Sequence, residues 1–355
     1  MPEFYLKSFA DQLTGWFVAN SRKLPWRESK DPYRVWISEI MLQQTRVEAV
    51  IGYFNRWVEK WPTIKSLAKA SENDVMNAWQ GLGYYSRARN ILKSAKIVVD
   101  EFNGILPSDV EALKKLPGIG RYTAGAISSI AFELKEPIVD GNVARVYARI
   151  FEREEVVNDA RSQNLYYQIA TDLLPDKNVS SFNQGLMELG ALVCVPQNPR
   201  CDMCPVSKFC KSFANDSTDA FPIRRKAAKT ELISRLVLVI KKSNKIYMTK
   251  REQKGVYHGM WEFPGFPIEK EMLKSKELSE KVYENLKLSG KTGKKINEFS
   301  HTFTKFKETI FVYPFTLENK DIQLPGEWVN SLSVRELPMG SVQQKIFDFV
   351  FSLKE

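Results

Sequence analysis

After position 34, apolar residues recur at helical spacing, at Val35, Ile37, Ile40 and Met41, and predict a helix with one face turned inward. Glu39 falls within or beside that stripe. A helix glutamate is usually solvated. One enclosed in an apolar stripe would have a raised pKa and could keep a proton at neutral pH. A second helical pattern flanks Leu116-Pro117-Gly118-Ile119-Gly120-Arg121-Tyr122-Thr123. Ser108 can cap its first helix, Asp109 and Glu111 fall in the first turn where acids complement the dipole, and the second helix begins near Arg121. Asp140 follows about one helix later, where it can cap a helix starting at Asn142. Residues 81–90 read as a helix–loop–helix join with a basic second helix. The pattern changes after Phe221: 232–240, 245–250 and 309–315 are rich in Val, Ile, Phe and Tyr and predict strands, with helices in 270–288 and 341–353. Strands with few helices predict an α+β domain.

A chain of 355 residues is too long for one compact core and suits two or three domains. The formal charge of +10 suits a polyanionic partner. Residues 1–23 are amphipathic without a long apolar run, and no segment reaches the length of a membrane span, so a soluble cytoplasmic protein with no membrane partner is expected.

Four cysteines, Cys194, Cys201, Cys204 and Cys210, fall in one stretch with spacing Cys-x6-Cys-x2-Cys-x5-Cys. Clustered thiolates in a cytosolic chain indicate a metal site rather than disulfides. Both zinc and an iron–sulfur cluster use four thiolates, and the residue types alone leave the two open.

Gly118 and Gly120 flank the hairpin turn, where glycine permits positive φ and close approach of a phosphate. The free N–H groups of the following helix suit an anion. Such a hairpin grips a nucleic-acid strand by its backbone without reading sequence. Together with Asp140, it resembles the helix-hairpin-helix base-excision DNA glycosylases. The 6-2-5 cysteine spacing is similar to the [4Fe-4S] loop of their endonuclease III and MutY branch, and the loop carries Arg200, Lys208 and Lys211 as charges for DNA. Leu24-Pro25-Trp26-Arg27 and the run from Asp31 to Thr45, with the paired Gln43 and Gln44 following Glu39, resemble the MutY-type adenine glycosylases.

That resemblance covers nearly the whole chain and implies residue roles. Glu39 would be the general acid and Asp140 the stabiliser of an oxocarbenium-like sugar, with Tyr122 and Asn142 positioning acid, sugar and water. Leu24, Trp26, Arg27, Val47 and Gln184 would line the pocket of a flipped adenine. Gln44, Thr45, Leu82 and Tyr84 would contact the base stack, Arg87 and Arg89 phosphates, and Gly118, Gly120 and Thr123 the strand at the hairpin. The bifunctional relatives carry a lysine where this chain has Tyr122, and a phenol cannot form a Schiff base with the sugar, so base removal without strand cleavage is expected.

The phrase Gly259-Met260-Trp261-Glu262-Phe263-Pro264-Gly265 resembles a Nudix domain of the MutT type, but no R-E-apolar-x-E-E pattern for magnesium follows Gly265. The resemblance implies a recognition module in which Phe299, Ser300 and His301, at a hairpin tip, touch 8-oxoguanine. His258 reads as structural.

The expected fold is multidomain. An all-α helix-hairpin-helix core with a [4Fe-4S] loop spans 1–222, divided into a six-helix barrel at 24–134 and a cluster domain of 1–23 with 135–222. A basic linker at 223–230 leads to an α+β Nudix-like domain at 231–355. The expected substrate is duplex DNA with adenine opposite 8-oxoguanine or guanine, bound by a monomer. The alternatives are an endonuclease III-like pyrimidine-lesion glycosylase, disfavoured by Tyr122 and the C-terminal domain, and a Nudix hydrolase, disfavoured by the missing glutamates. A non-catalytic cluster-bearing DNA-binding protein is disfavoured by Glu39 and Asp140 together.

Overall fold

A computed structural model describes residues 3–157, 159–225, 229–252, 255–274, 278–303, 305–318, 322 and 324–352. Positions 226–228 of the basic linker and position 353 of the expected last helix lie outside the described residues. The chain separates into two compact units, one of Met1–Ala70 with Asn90–Lys226, the other of Ser71–Arg89 with Ala227–Glu355.

The first unit is helical. Asp31 caps the Pro32–Leu42 helix by accepting from the Tyr33 N–H, and Pro32 takes the first position, where its missing donor costs nothing. Beyond the predicted stripe, Trp36, Ser38 and Glu39 are buried as well. A helix enclosed on nearly every side belongs to the interior. It packs against the Arg121–Phe132 helix, which is itself buried from Thr123 to Ile130 and rich in Ala, Gly and Ser. Gly125 is needed there, because a Cβ would sit 2.8 Å from the Pro137 carbonyl oxygen.

The hairpin preceding that helix departs from expectation in two details. The cap of the short Val110–Lys114 helix is Asp109, which accepts from the Ala112 N–H at 2.7 Å. Ser108 instead offers its carbonyl to the Ser128 hydroxyl at 3.0 Å. Gly118 has φ +82°, and a Cβ there would lie 2.8 Å from Asn90 Cβ. Gly120 is extended, with φ −91° and ψ −178°, so only Gly118 uses the left-handed freedom of glycine. No side chain caps the Arg121–Phe132 helix at Gly120.

Asp140 caps the Gly141–Phe151 helix, its Oδ1 accepting from the Val143 N–H at 2.7 Å. A second core gathers Phe9, Leu13, Tyr147, Phe182 and Leu186 from the Glu3–Asn20, Gly141–Phe151 and Val179–Leu192 helices. Val206 and Phe209 of the cysteine loop join it, which anchors that loop by apolar burial.

The second unit carries a mixed sheet of eight strands among the described residues: β1 (Glu231–Lys242), β2 (Lys245–Lys250), β3 (Trp261–Glu262), β4 (Gly265–Pro267), β5 (Gly290–Thr292), β6 (Asn297–Phe303), β7 (Phe306–Leu317) and β8 (Glu327–Asn330). The central order is β3-β2-β1-β7-β5, and β1 pairs β7 in parallel with Val237 beside Val312. Val237 and Val239 face a core with Val342, Ile346 and Phe347 of the Ser341–Ser352 helix. Leu236, Leu238 and Ile240 face the opposite core with Leu278, Val282 and Leu286 of the Leu278–Leu286 helix. Burial on both faces explains the continuous apolar run in 236–240. Within the expected 270–288 helix, a 3-10 turn covers Lys270–Lys274 and this helix covers Leu278–Leu286, and positions 275–277 lie outside the described residues.

Residues 71–89 belong to this second unit. Ser71 caps the Glu72–Ala78 helix. Asn77 Nδ2 donates to the Glu336 carbonyl at 2.6 Å, Gln80 Nε2 to the Met339 carbonyl at 3.4 Å, and Arg89 to the His258 carbonyl.

Candidate active site

A cavity of about 480 Å³ opens in the helical unit. Leu24, Trp26, Arg27, Glu39, Gln44, Thr45, Val47, Tyr122, Asp140, Asn142 and Gln184 all line it, although they come from five separate stretches of chain. Arg22, Met187 and Glu188 line it too, and sequence reasoning had not singled them out.

Glu39 is only 6% exposed, and its Oε2 accepts the Tyr122 hydroxyl at 2.7 Å. Burial pushes its carboxyl up to about 7, and the charge of Asp140 adds to the rise; the Tyr122 hydrogen bond and Arg27 pull the other way. A carboxyl in that state carries its proton near neutral pH and has Tyr122 to orient it. Burial likewise drives the Tyr122 phenol well above its ordinary range, so Tyr122 is a hydrogen-bond donor and not an anion.

Asp140 Oδ1 holds the Val143 N–H and Oδ2 accepts from Asn142 Nδ2 at 3.2 Å. Burial raises its carboxyl, while these hydrogen bonds and Arg145 favour the charge. Capping and lining are therefore simultaneous: the helix end holds Oδ1, Asn142 holds Oδ2, and the residue lines the cavity.

Glu188, on the Val179–Leu192 helix, is buried and accepts four hydrogen bonds. Arg22 supplies its backbone N–H at 2.9 Å, Nε at 2.8 Å and Nη2 at 2.8 Å. Arg27 Nη2 supplies the fourth at 3.0 Å. Against the cost of burial, the two guanidiniums hold the Glu188 carboxyl down at about 2. Nothing local in the sequence announces a bond between positions 166 residues apart.

Other expected contact residues are differently placed. Thr123 is 1% exposed and its hydroxyl accepts from Gln43, so its side chain is interior rather than on a strand-gripping surface. Gly118 and Gly120 remain at the hairpin turn. Leu82 is buried, whereas Tyr84 is 41% exposed with φ +48°. Arg87 is buried, donates to the Leu82 and Gly83 carbonyls and lies over the Trp79 and Tyr84 rings. Burial lowers it to about 10, and its observed work is bracing the Tyr84 loop. Arg89 pairs with Glu72 at 2.9 Å.

Phe299, Ser300 and His301 lie along β6 rather than at its tip, because the strand continues to Phe303 before turning into β7. Ser300 is exposed, Phe299 packs edge-on against Phe349, and the His301 ring stacks on Phe303 with Nε2 3.7 Å from Glu308 Oε2. His258 touches the Glu252 carbonyl through Nδ1 at 3.0 Å.

Cys194, Cys201, Cys204 and Cys210 line one small cavity with Arg149, and none is in a disulfide. Arg149 Nη1 lies 3.4 Å from Cys194 Sγ. Burial pushes the Cys204 thiol up to about 12, with the neighbouring cysteines adding to the rise. Among the described residues no group of three or more His, Cys, Asp or Glu is arranged to hold a single metal ion. Arg200, Lys208 and Lys211 are exposed around this loop. Among the described residues no helix is long and apolar enough to cross a membrane.

Comparison with known proteins agrees with this architecture. Residues 37–165 match the HhH-GPD superfamily of base excision DNA repair proteins, and residues 235–349 match the NUDIX domain family. An adenine DNA glycosylase of Buchnera aphidicola subsp. Schizaphis graminum is 35% identical over 96% of this chain and 98% of its own. The adenine DNA glycosylase of Homo sapiens is 32% identical over 96% of this chain and 73% of its own. A solved thermostable thymine-DNA glycosylase superposes with a TM-score of 0.55 and 28% identity, over 60% of this chain and 98% of that one. Endonuclease III in a non-covalent complex with DNA shares the helical fold, with a TM-score of 0.52 and 24% identity over 61% of this chain and 98% of its own. The chain belongs to the adenine DNA glycosylase family, hydrolases of base-excision repair.

Proposed function

We propose that this enzyme hydrolyses the N-glycosidic bond of adenine mispaired with 8-oxoguanine or guanine in duplex DNA. The observation that carries the reading is two buried carboxyls lining a single cavity: Glu39, hydrogen-bonded by Tyr122 and pushed up to about 7 by burial, and Asp140, held by the Val143 N–H and Asn142. Glycosidic cleavage needs those two groups. Glu39 donates its proton to the imidazole-ring nitrogen of a flipped adenine, which departs neutral. The sugar is left with developing positive charge, and Asp140 stabilises it while Asn142 keeps the carboxylate oriented. Water completes the hydrolysis. Tyr122 offers no amine, so strand cleavage does not follow.

DNA is held, in this reading, by the uncapped Arg121–Phe132 helix end at the hairpin, with the exposed Tyr84 ring entering the base stack. The reading of the four cysteines as iron–sulfur ligands is supported by their being free and lining one small cavity. Cys194, Cys201, Cys204 and Cys210 would be the ligands of a [4Fe-4S] cluster, which would serve a structural role in this loop. The Nudix-like unit inspects the opposite 8-oxoguanine through the β6 region, and the enzyme acts as a cytoplasmic monomer on the nucleoid.

The test is a duplex with one adenine opposite 8-oxoguanine, scored with and without hot alkali. Strand breaks only after alkali, and no borohydride-trapped adduct, are expected. Glu39→Gln should abolish base release by a factor of at least about 10² and still bind the duplex. Normal turnover in that variant would remove Glu39 from the role.

A further inference from the structure

The structure assigns Glu188 as a positioning residue that sets the charge balance of the adenine cavity through Arg27 and Arg22. The inference rests on Glu39 acting as the general acid. Glu188 spends both oxygens on four donors from two arginines, so it has little left to offer a substrate. Arg27 is further fixed by Nη1 donation to the Arg22 carbonyl at 3.3 Å and by stacking over Phe17 at 5.3 Å. This clamp stitches the 22–27 segment to the Val179–Leu192 helix and presents one wall of the cavity at fixed geometry.

The wall's charge matters because Glu39 faces three groups: Tyr122 from the Arg121–Phe132 helix, Asp140 from the turn before Gly141, and Arg27. Glu48, on the Val47–Lys60 helix, acts on Arg22 in turn. An unopposed Arg27 would favour ionised Glu39 and strip the acid of its proton. Glu188 opposes that cation at 3.0 Å without itself taking up a proton near neutrality. The clamp therefore lets an arginine line the cavity while Glu39 stays protonated.

Single-turnover excision of adenine opposite 8-oxoguanine, followed against pH, reads this directly. The wild-type rate should fall as pH rises through about 7. Glu188→Gln keeps the size and removes the charge; its alkaline limb should move down by roughly one pH unit. Glu188→Asp, with the charge retained, should keep the limb at the wild-type position even if its rate drops. Arg22→Gln removes one opposing cation and should move the limb up, which keeps the inference testable if Glu188→Gln does not fold. A wild-type limb that neither Glu188→Gln nor Arg22→Gln displaces would overturn the assignment, because a merely structural clamp would lower the rate at every pH alike. Absence of any limb near neutrality in the wild type would instead overturn the role of Glu39.

Discussion

Glu39 and Glu188 are both buried carboxyls in one cavity, and they couple to pH with opposite sign. The folded state raises Glu39 from 4.5 to about 7, so its contribution to stability is complete below about 4.5 and is lost as pH rises through about 7. Glu188 is lowered from 4.5 to about 2, so its contribution is complete above about 4.5 and is lost as pH falls towards 2. Urea unfolding of wild type and Glu39→Gln between pH 5 and 8 should show the gap widening in favour of the variant as pH rises. A constant gap would mean that Glu39 is not titrating in that range. The burial of Glu39 was legible in the apolar stripe around it. The partners of Glu188 were not, since its four bonds cross the fold and leave no periodicity in either segment. Asp140 shows a different limit: capping and cavity lining are both true of it, and a sequence presents them as rivals.

At the scale of elements, the hairpin separates two glycines that look equivalent on paper. Gly118 combines φ +82° with a Cβ position 2.8 Å from Asn90 Cβ, whereas a Cβ on extended Gly120 meets no atom within 4 Å. Gly118→Ala should cost at least about 1–2 kcal/mol of stability, and Gly120→Ala should leave thermal unfolding nearly unchanged. What Gly120→Ala should weaken is DNA binding, if bare backbone at the helix start meets a phosphate. Equal loss of stability in both variants would contradict the geometry. The existence of the hairpin could be read from its turn chemistry. The identity of its cap could not, because Ser108 and Asp109 are adjacent and both are favoured caps. The end of β6 was similarly hidden: strand propensity does not say where a hairpin turns, so Phe299 to His301 move from the expected tip into the strand.

For the whole molecule, the two units and their α and α+β characters follow from the switch in periodicity near Phe221. The membership of residues 71–89 does not, because helical spacing cannot say which core a helix joins. Their partners are the Glu336, Met339 and His258 carbonyls, reached by Asn77, by Gln80 with Tyr85, and by Arg89. Asn77→Ala should release about 1 kcal/mol locally, seen as roughly fivefold faster amide exchange in 77–85 with global stability preserved. Unchanged exchange there would show that the Glu336 contact carries no local stability.

That placement also orders events on the ribosome. Asn77 is translated 259 residues before Glu336, whereas every residue of the helical unit precedes Ala227. The nascent chain can thus complete the cavity around Glu39 while residues 71–89, already outside the exit tunnel, wait for Glu336 and Met339 to be made. A premature stop before Glu336 would leave the cavity residues in place and the loop around Tyr84 without these partners.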